Sequence, residues 1–249
     1  MELSDKVIIF YKDGHAAGTR LSNVLRHSPS SWKKIEMPLE IPLEIYGITD
    51  IVISGQIINF VDSQDYPQVS LIILQNYESP TSACVAYEVL NFIRSKTSKL
   101  SSSLTVIFPC LTVVRNSSQN LRSLCIEDLE QSLYAAEINE ASDFSKAIVK
   151  GLKILPPTAQ ICDEFLACML HFARVLLLPA LLLLAPTTRI SRSDSKGAHF
   201  QQAHETQMLC KLGDLLANHM GLTFSKDLLE NIAIEIEMDA EDDWRRLYG

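Results

Sequence analysis

Glycine is scarce, with nine in 249 residues, about half the usual share. A phosphate-cradling loop needs glycine so that backbone amides can approach the anion, and the chain carries no Walker loop and no dinucleotide fingerprint. The one candidate, Lys12-Asp13-Gly14-His15-Ala16-Ala17-Gly18-Thr19, reads as the turn after a first strand. No G-x-S-x-G elbow and no H-E-x-x-H helix occur. Paired cysteines are missing too. Cys84, Cys110, Cys125, Cys162, Cys168 and Cys210 form no C-x-x-C, and most sit in apolar stretches, as free buried thiols of a reducing compartment do. His199 and His204 are five apart across an expected loop and helix start, and His171 is expected at the edge of a buried helix face; this is no ligand pattern. The expectation is no catalytic constellation, no metal and no cofactor.

Positive charge is in short supply, with 22 Lys and Arg against 30 Asp and Glu, a formal charge of −8. Binding to a phosphate backbone relies on basic surface that releases counterions, so nucleic acid is excluded as the main partner. The chain also lacks a spanning apolar run. Phe165 to Pro186 is greasy, but His171 and Arg174 interrupt it and Pro179 splits it. The uncharged remainder, Val175 to Pro186, is too short to cross a roughly 30 Å hydrocarbon core as a helix. It is expected to be a core helix running into a core strand. Met1-Glu2-Leu3-Ser4-Asp5 has no basic lead and no apolar signal core, which predicts a cytoplasmic, or nuclear, location.

What is present is core material. Hydrophobic residues make up 47% and charged residues 21%, the profile of a folded globular protein. A chain of this length buries roughly three-quarters of its unfolded surface. Strands are expected at Val7–Tyr11, Ile51–Ile53, Val69–Leu74, Leu104–Phe108 and Ala180–Ala185, with a polar turn near Ser63-Gln64-Asp65. Ile35 to Tyr46, interrupted by Pro38 and Pro42, is edge strand or extended connection. Helices are expected after Thr81 or Ser82 as cap, over Cys125–Ile138 and Ser142–Leu152, from a Thr158 cap to Leu176, and over Glu205–Met220. Gly221 would stop the last of these, with a final ordered piece over Leu228–Ile236 and a polar loop over Pro186–Ala203. Strand–helix–strand order with all-apolar strands predicts one α/β domain, a mixed and largely parallel sheet between helices. That domain is expected over residues 1–236.

Residues 237–249 change character. Glu235, Glu237, Asp239, Glu241, Asp242 and Asp243 place six carboxylates within nine positions, favouring an extended, flexible tether. Trp244-Arg245-Arg246-Leu247-Tyr248-Gly249 follows. The 13 residues from Glu237 could reach on the order of 40 Å if extended. Leu247 can enter an apolar pocket, Tyr248 adds a ring and a hydroxyl, and a carboxylate on Gly249 can pair with a lysine or with backbone amides.

Leu247-Tyr248-Gly249 resembles the hydrophobic–tyrosine–any-residue (HbYX) tail of proteasome activators and some assembly chaperones. With Ile51–Asp62 and Phe165–Pro186, the body resembles the proteasome assembly chaperone family, in particular the first subunit of its heterodimer. The resemblance implies a fold similar to the nucleoside phosphorylases and no catalytic activity. It implies pairing with a second chaperone subunit and docking of Leu247, Tyr248 and Gly249 into a pocket between α subunits of the core proteasome. The alternative is an enzyme of the nucleoside phosphorylase type. Ile57, Ile58 and Phe60 are expected either at the subunit interface or in the core.

Overall fold

The computed structural model describes residues 2–11, 17–27, 31–97, 104–116, 132–157, 159–187 and 195–230, with backbone alone over 112–116 and 195–202. The chain opens with β1 (Lys6–Tyr11), α1 (Ala17–Val24), β2 (Leu25–His27) and β3 (Lys33–Pro42). A 3-10 turn (Glu44–Tyr46), β4 (Val52–Val61), β5 (Pro67–Leu74), α2 (Thr81–Lys96) and β6 (Thr105–Asn116) follow. Then come β7 (Tyr134–Ile138), α3 (Asp143–Val149), β8 (Lys153–Ile154), β9 (Ala159–Ile161) and α4 (Glu164–Val175). β10 (Ala180–Thr187), α5 (Ser195–Met220) and β11 (Leu222–Phe224) follow, and residues 226–230 are helical.

The main sheet has the order β3-β4-β5-β1-β6-β10-β7-β8. Its centre, β5-β1-β6-β10, is parallel, and antiparallel pairing begins at β4 on one side and β7 on the other. Parallel strands covered on both sides need apolar residues at every position. β10 meets that need with eight buried residues. Leu182 and Leu184 enter one core, while Leu181, Leu183 and Ala185 enter the other. β1 divides likewise, with Val7, Ile9 and Tyr11 on the first side and Ile8 and Phe10 on the second. α2 and α4 cover the first core; α1, α3 and α5 cover the second. The result is the α/β domain with a mixed, largely parallel sheet between helices that the sequence predicts.

Several local expectations are corrected. Tyr134–Ile138 is a strand rather than the end of a helix, because Tyr134 and Ala135 are buried in the ladder with β10. Such pairing overrides the helical preference of Ala and Glu. The rest of that expected helix, up to 131, lies outside the described residues, as does Thr158. α4 starts later, at Glu164: Asp163 caps it, accepting from the Leu166 amide at 2.8 Å, and Ile161 pairs with β6 in β9. α2 is entered from Pro80, with no side-chain cap from Thr81 or Ser82. α5 begins at Ser195, inside the stretch expected as loop, and β10 continues to Thr187. His171 is exposed rather than at a buried edge, and Cys162 is an exposed thiol.

Other expectations hold. The helix expected over Ser142–Leu152 is present but shorter, Asp143–Val149, with Ser142 capping it by accepting from the Ser145 amide. Gly221, at φ +69°, ends α5. β3 is the edge strand, with Pro38 and Pro42 inside it. Ile57, Ile58 and Phe60 are core: Ile57 lies under α2 and α4, the other two on the opposite side. No helix among the described residues is long and apolar enough to cross a membrane.

Candidate functional site

In an open parallel sheet a small ligand binds beyond the carboxyl ends of the strands, where neighbouring connections diverge. Here that crevice lies between β1 and β6, whose ladder stops at Ile8–Ile107, short of Pro109. A proline cannot donate to a ladder, which accounts for the stop. The space above it is filled. The Tyr11 ring stands edge-on to Phe165 at 5.4 Å, its hydroxyl is 3.7 Å from the Cys110 sulfur, and Tyr77 packs on Phe165 at 6.0 Å. The Tyr77 hydroxyl is itself engaged with the Ser54 backbone at 2.8 Å and 3.1 Å. These groups make a packed aromatic plug rather than an acid–base pair. The expected turn over 12–16 lies outside the described residues, but Gly18 sits in α1 against β1. A Cβ there would come within 2.6 Å of the Tyr11 carbonyl oxygen, so its smallness serves packing.

At the other end of the sheet is a cavity of ≈ 370 Å³ lined by Ser4, Asp5, Lys6, Tyr66, Gln68 and Phe144, among others. Much of its polarity is engaged internally. The Ser4 amide donates to Ser70 Oγ at 2.8 Å, Ser70 donates to Asn59 at 2.7 Å, and Ser4 donates to the Gln68 carbonyl. The Lys6 ammonium lies 4.7 Å from the Phe144 ring centre. This network fastens the N-terminal segment to β4 and β5. Among the described residues no cluster of His, Cys, Asp and Glu could hold a metal ion.

The third feature is apolar and open. Tyr46, Ala83, Cys84, Tyr87 and Phe172 line a groove of ≈ 330 Å³ where the 3-10 turn meets α2 and α4. Its floor is fixed from below. Leu43 and Ile53 are buried in the same core as Val85 and Val89, and Tyr87 meets Phe172 edge-on at 5.6 Å. β4 overhangs β5 by Val52–Ser54, carrying the 3-10 turn out over α2. Ile45, next to the groove, is 75% exposed. The Tyr46 hydroxyl donates to Glu88 Oε1 at 2.8 Å. Desolvation first, then that hydrogen bond and the Glu88 charge, hold the phenol above its usual range. At the far end of α4, Val175 and Leu177 are also exposed.

Charge along the chain that builds the 3-10 turn and most of α2 is one-sided. From Ile35 to Ile93, 59 residues, the chain has no Lys, Arg or His but eight carboxylates. Removing those eight from the chain's 30 leaves 22, matching its 22 Lys and Arg, so the whole excess of −8 originates in this span. The span forms nearly all of β3, the 3-10 turn, β4, β5 and most of α2. Sequence reasoning passed over the groove, and the cation-free span was the available signal. The sequence-predicted site residues Leu247, Tyr248 and Gly249, with their acidic tether from Glu237, lie outside the described residues.

Fold and surface together define a three-layer α/β protein with an exposed apolar groove on one helical face. The chain belongs to the family of the domain of unknown function DUF7894, whose model matches residues 1–249. No curated protein matches it in sequence. Among solved structures it is similar to a Thermoplasma acidophilum protein with unknown function, at TM-score 0.53 and 9% identity, over 99% of this chain and 92% of that one. A Mycobacterium tuberculosis proteasome-assembly chaperone homologue aligns at TM-score 0.39 and 13% identity, over 95% and 94%. A Campylobacter jejuni 5'-methylthioadenosine/S-adenosyl homocysteine nucleosidase aligns at 0.43 and 10%, over 87% and 98%. The first likeness concerns the fold; the other two scores are too low to argue from.

Proposed function

We propose that this chain is a non-catalytic chaperone for assembly of the core proteasome. It pairs with a second, related chaperone subunit, and the heterodimer binds the α-ring in the cytoplasm or nucleus. Leu247, Tyr248 and Gly249 dock between α subunits, with Leu247 in an apolar pocket and the Gly249 carboxylate on a lysine. The observation that carries a protein-binding role is the exposed apolar groove beside Ile45, set against a crevice plugged by Tyr11, Cys110 and Phe165. An open groove of aromatic and aliphatic side chains is what a protein partner covers. The proteasome assignment rests on the hydrophobic–tyrosine–residue sequence behind six carboxylates, and it requires a free carboxylate on Gly249.

The test is binding of the chain, co-expressed with its partner subunit where required, to isolated core proteasome. Wild type is compared with Leu247→Ala/Tyr248→Ala and with a form extended beyond Gly249 by four residues. Wild type should bind and both altered forms should lose about tenfold or more in affinity. Equal binding by all three removes the tail from the mechanism. No binding by wild type removes the proteasome.

A further inference from the structure

We propose that the groove formed by the 3-10 turn, α2 and α4 docks a basic, apolar segment of a partner protein. That segment would present an aliphatic or aromatic side chain between lysines or arginines. The inference rests on the groove and its charge alone and is independent of the tail.

Two observations meet here. The groove lining is almost wholly apolar, and Ile45 beside it is more exposed than a folded domain requires. An aliphatic side chain held in water at the tip of an ordered turn gains most by being covered. The rim supplies the second half of the recognition. Glu44 precedes Ile45 in the turn, Glu88 lies beneath the Tyr46 hydroxyl, and Asp50 follows in the connection to β4. None of these three is in a salt bridge among the described residues. Lys34 is engaged with Glu36 in β3.

On α4, His171 packs edge-on to Phe172 at 5.4 Å and Arg174 is exposed, while Arg94 lies two helical turns beyond Tyr87 on α2. The acidic residues Glu44 and Glu88 stand on the 3-10 turn and α2 beside the apolar lining. A partner's lysines or arginines belong beside Glu44 and Glu88, with its apolar side chain against Tyr87 and Phe172. A surface of this kind attracts its partner electrostatically and holds it by apolar contact, so binding should weaken with salt.

The probe is a fluorescein-labelled synthetic helical peptide with leucines on one face and lysines on the other, read by anisotropy against the full chain. Its counterpart replaces each lysine by glutamate. Glu44→Lys and Ile45→Ser change exposed positions, and Glu140→Lys places the same charge change on an exposed residue after β7, near the opposite edge of the sheet. Circular dichroism confirms folding of each variant. Wild type should bind the lysine peptide and not the glutamate peptide. Glu44→Lys and Ile45→Ser should each lose roughly fivefold or more, and Glu140→Lys less than about twofold. Equal losses for Glu44→Lys and Glu140→Lys with none for Ile45→Ser would mean adsorption by net charge and overturn the proposal. So would no binding by wild type, or equal binding of the two peptides.

Discussion

On the face covered by α1, α3 and α5, polar contacts close over the core: Lys226 reaches Asp214 at 2.8 Å, Arg20 reaches Thr206 at 3.2 Å, and Thr187 reaches Glu205 at 3.1 Å. On the face covered by α2 and α4, Ile45 stands in water beside an open aromatic groove, and Val175 and Leu177 are exposed at the far end of α4. Beneath both surfaces the cores are alike, each built from alternate residues of the same strands. Folding therefore accounts for the two interiors in the same terms, but it does not require the exposed apolar residues of the second face. Those residues are where an explanation by binding is needed.

The sharpest probe of that comparison is one truncation in each core. Phe165→Ala, on the α4 side, and Leu212→Ala, on the α5 side, should each lower stability by about 3–4 kcal/mol in urea unfolding. A small loss for either would break the equivalence of the interiors. Next come the helix caps. Asp163→Ala should cost about 1 kcal/mol by removing the acceptor for the Leu166 amide, whereas Thr81→Ala should be nearly neutral.

A smaller effect of opposite sign is expected at Leu177. It ends α4 at φ +54°, with the Leu178 amide closing back to the Ala173 carbonyl at 2.9 Å, a position that favours glycine. Leu177→Gly should raise stability by a few tenths to about 1 kcal/mol. A loss instead would show that the Leu177 side chain makes stabilising contacts within the chain despite its exposure.

The smallest expected effect concerns the closed face. The Asp214 hydrogen bond and charge raise Lys226 above its ordinary value of 10.5. Because the folded value is the higher one, the pair's stabilisation is complete below that ordinary value and is lost as pH rises through the folded value. The melting-temperature difference between wild type and Lys226→Met should be small at neutral pH and should vanish in strong alkali.

Much of this architecture was legible because the central strands carry near-continuous apolar runs, as at Ala180–Ala185, a pattern that a half-exposed element would not show. β7 was not legible, since Tyr134-Ala135-Ala136-Glu137-Ile138 has helical composition and becomes a strand only by lying beside β10. The first turns of α5 were hidden for a related reason: their residues are polar and give no periodic signal. The groove is a different case. Its charge signature can be counted along the chain, but its meaning depends on β4 carrying the 3-10 turn over α2, a long-range arrangement. Tyr46 and Phe172 are 126 positions apart and meet only in the fold.

The edges of the sheet carry one more consequence. β3 keeps register with β4 through both Pro38 and Pro42, so the donors those prolines lack fall on its outer rim. The opposite edge, β8, is two residues long. Neither border is a good template for adding a strand from another molecule. A protein that displays bare aliphatic side chains at high concentration risks growing into fibres through its sheet, and here the prolines and the short final strand oppose that growth.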